Sequence, residues 1–240
     1  APTPSYDSAG WTLAFQMGVK FDRVLDAFDG PFETISRAEV PAGTVGGAAK
    51  PAAYTFTDRQ NDAFIAVNRL LEAGEQVYRP AAGSISVTAR STTLPLLRKA
   101  AADLGVSFTG VATPVPATAV RLRPSRIGLW DCYGGSVPSG WTRWLLEQYE
   151  FAFDVVYPRE LDAGNLKAAY DVLIFPDGAI PARNGRGTDG DCLAGRDAPA
   201  EYRDRAGRIT PAATVPQLKR FVEDGGILVA IGRSTAIAEH

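Results

Sequence analysis

Apolar and polar positions follow two different rhythms along the chain. Residues 52–120 carry short runs around two amphipathic segments. Ala53–Phe56 reads as a strand, and Asp58 can cap a helix in which Phe64, Val67, Leu70 and Leu71 share a face. Gly74 stands where a left-handed C-terminal residue is wanted. Gln76–Arg79 and Ser84–Ala89 read as strands, the second with Ile85 and Val87 alternating against Ser84, Ser86 and Thr88. Ser91 or Thr92 opens a second helix, with Leu96, Leu97, Ala100, Ala101 and Leu104 on one side and Gly105 closing it. Val106–Val111 is a further strand. The order β-α-β-β-α-β predicts a small α+β layer domain over residues 51–120.

From residue 121 to 240 the rhythm becomes strict α/β alternation, which predicts a parallel-sheet layer domain. The strand Ile127–Trp130 leads through a Gly/Ser/Pro loop to a helix whose Trp141, Trp144, Leu145 and Tyr149 fall at i, i+3, i+4 and i+8, the spacing of a buried stripe. Ser139 is placed to cap it. Phe153–Tyr157 reads as a strand and Asn165–Ala169 as a short helix. The continuous apolar run Asp171–Phe175 is expected of a central parallel strand covered on both faces. A polar, glycine-rich insertion spans Arg183–Ile209. Thr214 and Pro216 then start a helix with Leu218, Phe221 and Val222 inward, ended by Gly225-Gly226. Ile227–Ile231 is the last strand, and Gly232-Arg233-Ser234 turns into another helix. Residues 1–50 are irregular and rich in Gly and Pro, with strands expected at Trp11–Gln16 and Phe32–Val40 and a flexible connection at Pro41–Pro51. The opening reads as a linker and the last apolar run ends close to His240, so the sequence reads as part of a longer chain with its final domain cut short.

Composition narrows the classes. The chain has 240 residues, 45% of them apolar, and a formal net charge of -2, enough for a core in one large or two small domains. No charge excess or basic stripe supports a nucleic-acid partner. No apolar run approaches the roughly 20 residues that span a bilayer, so no membrane partner is expected. The single histidine is His240 and the two cysteines are Cys132 and Cys192. That set does not supply the three protein ligands of a catalytic zinc, so no metal site is expected here.

Several segments together carry a family likeness: YDSAGWTLAFQMGV (6–19), GWTRWLLEQYEF (140–151), YDVLIFPD (170–177), PAEYRDRAGRIT (199–210) and LKRFVEDGGILVAIG (218–232). With these the chain resembles the non-peptidase C-terminal region of large bacterial zinc carboxypeptidases of the carboxypeptidase A type. The resemblance implies a class I glutamine amidotransferase-like, flavodoxin-like domain in the last part. It also implies a peptidase domain of the same parent chain as partner, zinc as that domain's cofactor, and an exported parent, periplasmic or secreted. The family's zinc motif, a His-x-x-Glu pair with a later His, has no counterpart in this sequence.

In amidotransferase-like folds a Cys nucleophile stands at the strand-to-helix turn, where the helix N-terminus lowers its pKa. The matching position here is Gly232, which has no side chain. Ser234, two residues on, reads as a cap, because His240 is too far along to serve as its base. Cys132 is then the remaining nucleophile for an independent hydrolase. Cys132 and Cys192 are either free thiols or one disulfide. Both follow strand ends expected at the same sheet edge, so a bridge could anchor the insertion. Gly134-Gly135-Ser136 reads as a permissive turn or as an anion cradle. Tyr133 with Trp130 could face a glycan or peptide, although Trp141 and Trp144 match a core stripe. Asp131, Arg143, Glu147, Asp177 and Arg233 are candidate polar residues at the C-terminal edge of the sheet, as a ligand site or as ion pairs. Three readings follow in order: a non-catalytic accessory module, an independent amidotransferase-like or esterase-like hydrolase, and a glycan- or peptide-binding module.

Overall fold

The computed structural model describes Ala14 and residues 20–37, 39, 41–183 and 198–240, which fall into two compact units, Ala1–Arg123 and Pro124–His240. The first unit holds a six-stranded mixed sheet. Its strands are β1 (Val45–Gly47), β2 (Ala53–Phe56), β3 (Val77–Ala81), β4 (Ser84–Thr88), β5 (Phe108–Val111) and β6 (Val120–Arg121). Helix α1 (Asp62–Glu72) joins β2 to β3, and α2 (Thr93–Leu104) joins β4 to β5. The sheet order is β1-β5-β2-β4-β3-β6. Its middle four strands are antiparallel to one another, the arrangement of a split β-α-β pair. Alternation along β2 and β4 sends Tyr54, Phe56, Ile85 and Val87 into one core with Leu70, Val77, Leu97 and Phe108, where Phe56 and Phe108 meet edge to face at 4.9 Å. The Glu75 carboxylate is buried and accepts the hydroxyls of Thr92 (2.5 Å) and Thr93 (2.8 Å), which ties the start of α2 to the end of α1 and offsets the cost of burying a charge.

Three local expectations for this unit are corrected. Asp58 does not cap α1; Asn61 stands at that position, and Asp58 pairs with Arg79 at 3.2 Å. No strand forms among the described residues of Phe32–Val40, and Phe32 and Ile35 are exposed, because alternation without a neighbouring strand edge gives no ladder. The connection Pro41–Pro51 instead contains β1, parallel to β5. Gly47, at φ +104°, makes this possible: a Cβ there would lie 2.3 Å from the Gly110 carbonyl oxygen. The strand expected at Trp11–Gln16 lies outside the described residues except for Ala14.

The second unit is a four-stranded, wholly parallel sheet in the order β10-β9-β7-β8: β7 (Ile127–Trp130), β8 (Phe153–Val156), β9 (Val172–Phe175) and β10 (Ile227–Ala230). Helix α3 (Val137–Gln148) connects β7 to β8, α4 (Pro158–Ala163) and α5 (Leu166–Ala169) lead to β9, and α6 (Thr214–Glu223) precedes β10. The protein is therefore an α/β protein with one mixed and one parallel sheet. Trp130 pairs in register with Val156, and both share a core with Leu173 and Phe175 of β9 and with Leu161, Leu166, Leu218 and Phe221 of α4–α6. Gly128 lets this layer close, since a Cβ there would come within 2.7 Å of both Leu173 and Val156. At the opposite end of the strands, Arg126 clamps β7 to β9. Its guanidinium pairs with Asp171 at 2.9 Å, its backbone N–H donates to the same carboxylate, and it reaches the Ala168 carbonyl.

The face carrying α3 is sparsely covered. Trp141 is 67% exposed and Trp144 52%, and the two rings meet edge to face at 6.1 Å. Leu145 and Val137 are exposed beside them, as are Ile227, Val229 and Ile231 along β10. The stripe expected to be core is thus outside it, and Val222 of α6 is exposed as well. Periodicity shows that a helix has an apolar face; it does not show that this chain supplies a cover for that face.

Candidate functional site

The C-terminal ends of β7 and β9 carry most of the residues singled out from the sequence. After β7, the Asp131 carboxylate turns back and accepts the backbone N–H groups of Cys132 (2.8 Å) and Ser136 (2.9 Å). Gly134 and Gly135 take φ +98° and +82°, which folds the loop around that carboxylate. The loop is thus a turn closed on its own anion. Burial pushes the Asp131 carboxyl above its usual range, opposed by the two N–H groups and the charge of Arg143. The cap of α3 is Ser136 rather than Ser139, with Pro138 in the first turn fixing the helical φ. Ser139 is buried and its hydroxyl donates to the Trp130 carbonyl at 2.8 Å, which fastens the helix start to the strand end.

After β9, the Asp177 carboxylate receives Arg233 twice. The Arg233 backbone N–H donates at 2.6 Å, and the guanidinium forms a forked pair with the shortest contact at 2.7 Å. These hydrogen bonds hold the Asp177 carboxyl below the ordinary carboxylate range. Gly232 has φ +56°, and a Cβ there would lie 2.4 Å from Asp177 Oδ1. The following 3-10 stretch, Gly232–Glu239, contains Ser234 with no exposed surface. Its hydroxyl donates to the Pro176 carbonyl (2.5 Å) and accepts the Ile180 N–H (3.1 Å), so both capacities serve the turn after β9. His240 Nε2 lies 3.0 Å from the Pro181 carbonyl oxygen. Neither group is placed as nucleophile or base.

Arg143 runs along its own helix to Glu147 at 2.9 Å, which raises its pKa. Cys132 is buried and disulfide-bonded, and so offers no thiolate. Cys192 and most of the glycine-rich insertion lie outside the described residues. Among the described residues, no group of three or more His, Cys, Asp or Glu side chains is placed to hold a metal ion, and no helix is long and apolar enough to cross a membrane.

Tyr133 belongs to a cluster that spacing in the sequence does not reveal. Its ring stacks on Tyr202 (5.8 Å between centroids, 28° between planes). The Arg205 guanidinium carbon lies 5.4 Å from the Tyr202 centroid and 5.5 Å from that of Tyr157, the residue after β8. The backbone fixes this grouping: the Tyr133 N–H donates to the Arg205 carbonyl (3.2 Å), and the Arg205 N–H to that of Tyr202 (3.0 Å). Trp130, by contrast, is only 3% exposed and does not line an open cleft; its indole Nε1 is buried without a hydrogen-bond partner.

The sequence-named residues therefore separate into a loop closed on Asp131, an Asp177–Arg233 pair, a helix-surface Arg143–Glu147 pair and a tyrosine–arginine cluster. No protein-family model, curated protein or solved structure matches the chain.

Proposed function

We propose that this chain is a non-catalytic accessory module of a larger hydrolase of the zinc carboxypeptidase type, with zinc and bond cleavage supplied by a peptidase domain elsewhere in the same parent. In this reading the second unit is flavodoxin-like: β8-β7-β9-β10 follows the 2-1-3-4 part of that doubly wound order. The observation that carries the proposal is the turn after β10. Glycine stands at the aligned nucleophile position, and the Asp177 carboxylate fills the space a side chain would enter. The self-closed loop after β7 adds to it, since its N–H groups are used by Asp131 rather than held open for a substrate oxyanion. The exposed indoles of Trp141 and Trp144 are consistent with packing against another domain. The disulfide at Cys132 fits an exported parent, because disulfides persist in oxidising compartments.

The test is to express the parent hydrolase with and without residues 1–240 and to compare soluble yield, carboxypeptidase activity and substrate range. The module's removal is expected to lower yield or narrow the range. Unchanged behaviour on all three counts, or amide hydrolysis by the purified 240-residue chain alone, would sink the proposal.

A further inference from the structure

We infer that the Tyr133–Tyr202–Arg205–Tyr157 cluster is a binding site for a monoanionic organic carboxylate, with a peptide's terminal carboxylate beside an aromatic side chain as the fitting class. The inference stands apart from the accessory reading and does not need it.

The guanidinium is the first ground. Arg205 is exposed, and no carboxylate among the described residues pairs with it, whereas Arg126, Arg143 and Arg233 each hold an acidic partner. Two tyrosine rings lie against it. Such contacts limit the rotamers of a long side chain while leaving its N–H groups for an in-plane acceptor, and a guanidinium fork matches a carboxylate's two oxygens. Ordering the arginine before the ligand arrives lowers the entropic cost of binding.

The rings are the second ground. Tyr133 and Tyr202 are stacked and only partly covered, so a flat apolar group attached to the carboxylate finds an aromatic surface next to the cation. Place is the third. Tyr133 and Tyr157 follow the C-terminal ends of the paired parallel strands β7 and β8, the edge at which open α/β sheets take ligands.

The same surroundings disfavour a phosphate dianion. Phosphate sites usually add several backbone N–H groups of a helix start to their cations. Here the loop entering α3 has spent the Cys132 and Ser136 N–H groups on Asp131. One guanidinium with no carboxylate partner among the described residues suits one negative charge.

The experiment is a calorimetric titration of the full 240-residue chain with N-acetyl-L-phenylalanine, its carboxamide and inorganic phosphate, repeated on Arg205→Gln, Arg205→Lys and Tyr202→Ala. The acid is expected to bind and the amide to bind roughly tenfold or more weakly. Arg205→Gln should abolish the preference for the acid, Arg205→Lys should keep only part of it because the fork is lost, and Tyr202→Ala should weaken the acid severalfold. Unchanged thermal midpoints of the variants separate lost binding from lost folding. The inference is overturned if acid and amide bind alike, if neither binds, if Arg205→Gln binds the acid as the parent sequence does, or if phosphate binds more tightly than the acid.

Discussion

Asp177 occupies the space that a side chain at position 232 would need. The Gly232 backbone has φ +56°, and the carboxylate oxygen that accepts the Arg233 N–H would stand 2.4 Å from an added Cβ. Gly232→Ala should therefore destabilise the protein by about 1–3 kcal/mol, combining left-handed strain with displacement of the carboxylate. Denaturant midpoints at constant m-value measure it. Because the two residues share one space, Gly232→Ala with Asp177→Ala should lose less than the sum of the single changes. Strict additivity would refute the steric account.

Ser234 is a structural hydroxyl. Ser234→Ala removes a donor to the Pro176 carbonyl and leaves the Ile180 N–H buried without its acceptor. The expected loss is about 1–3 kcal/mol. A midpoint indistinguishable from that of the parent sequence would show that these hydrogen bonds are replaced by solvent.

Acid should loosen the second unit through Asp171. The Arg126 guanidinium, then Lys167 and the Arg126 N–H, hold this carboxyl far below its usual range. A carboxyl depressed in the folded state contributes stability that is complete above its unfolded value, about 3.9, and is lost as pH falls from there towards the folded value. Asp177 acts with the same sign through Arg233. Unfolding free energy measured against pH should be level above about pH 5 and decline below about pH 4, and Asp171→Asn should flatten the decline. Both pairs are partly exposed, so solvent screening keeps the effect small and added salt should shrink it further.

The outer face of α3 should tolerate polar residues. Replacing Trp141 and Trp144 with Gln is expected to cost no more than about 1–2 kcal/mol per site, well below the loss from a fully buried Trp, since the larger part of each side chain is exposed. Fluorescence of an apolar dye should drop in the same variant, because the exposed indoles provide part of its surface. A loss of several kcal/mol would mean that the two rings are buried in solution.

Both α/β patterns were legible along the chain. The β-α-β-β-α-β order, the parallel alternation after residue 126 and the glycines closing the helices follow from spacing and backbone sterics, which are local. Gly105 at φ +69° and Gly225 at φ +83° stand where those rules put them. Positions whose meaning depends on a neighbour distant in sequence were read less well. Ser139 looked like a cap but fastens a helix to a strand, and β1 could not be seen without β5 beside it.

By itself, then, the sequence determined the elements, their order and the absence of a side chain at position 232, since these depend on residue identity and on spacings of a few residues. Tertiary structure decided which charges meet and which faces stay open. Asp177 joins Arg233 from 56 residues away, Arg205 comes to rest against Tyr157 and Tyr202, and the tryptophans of α3 remain uncovered. The physical reason is that hydrogen bonds and burial act over a few ångströms of space, and only the folded chain sets that distance between residues far apart in sequence.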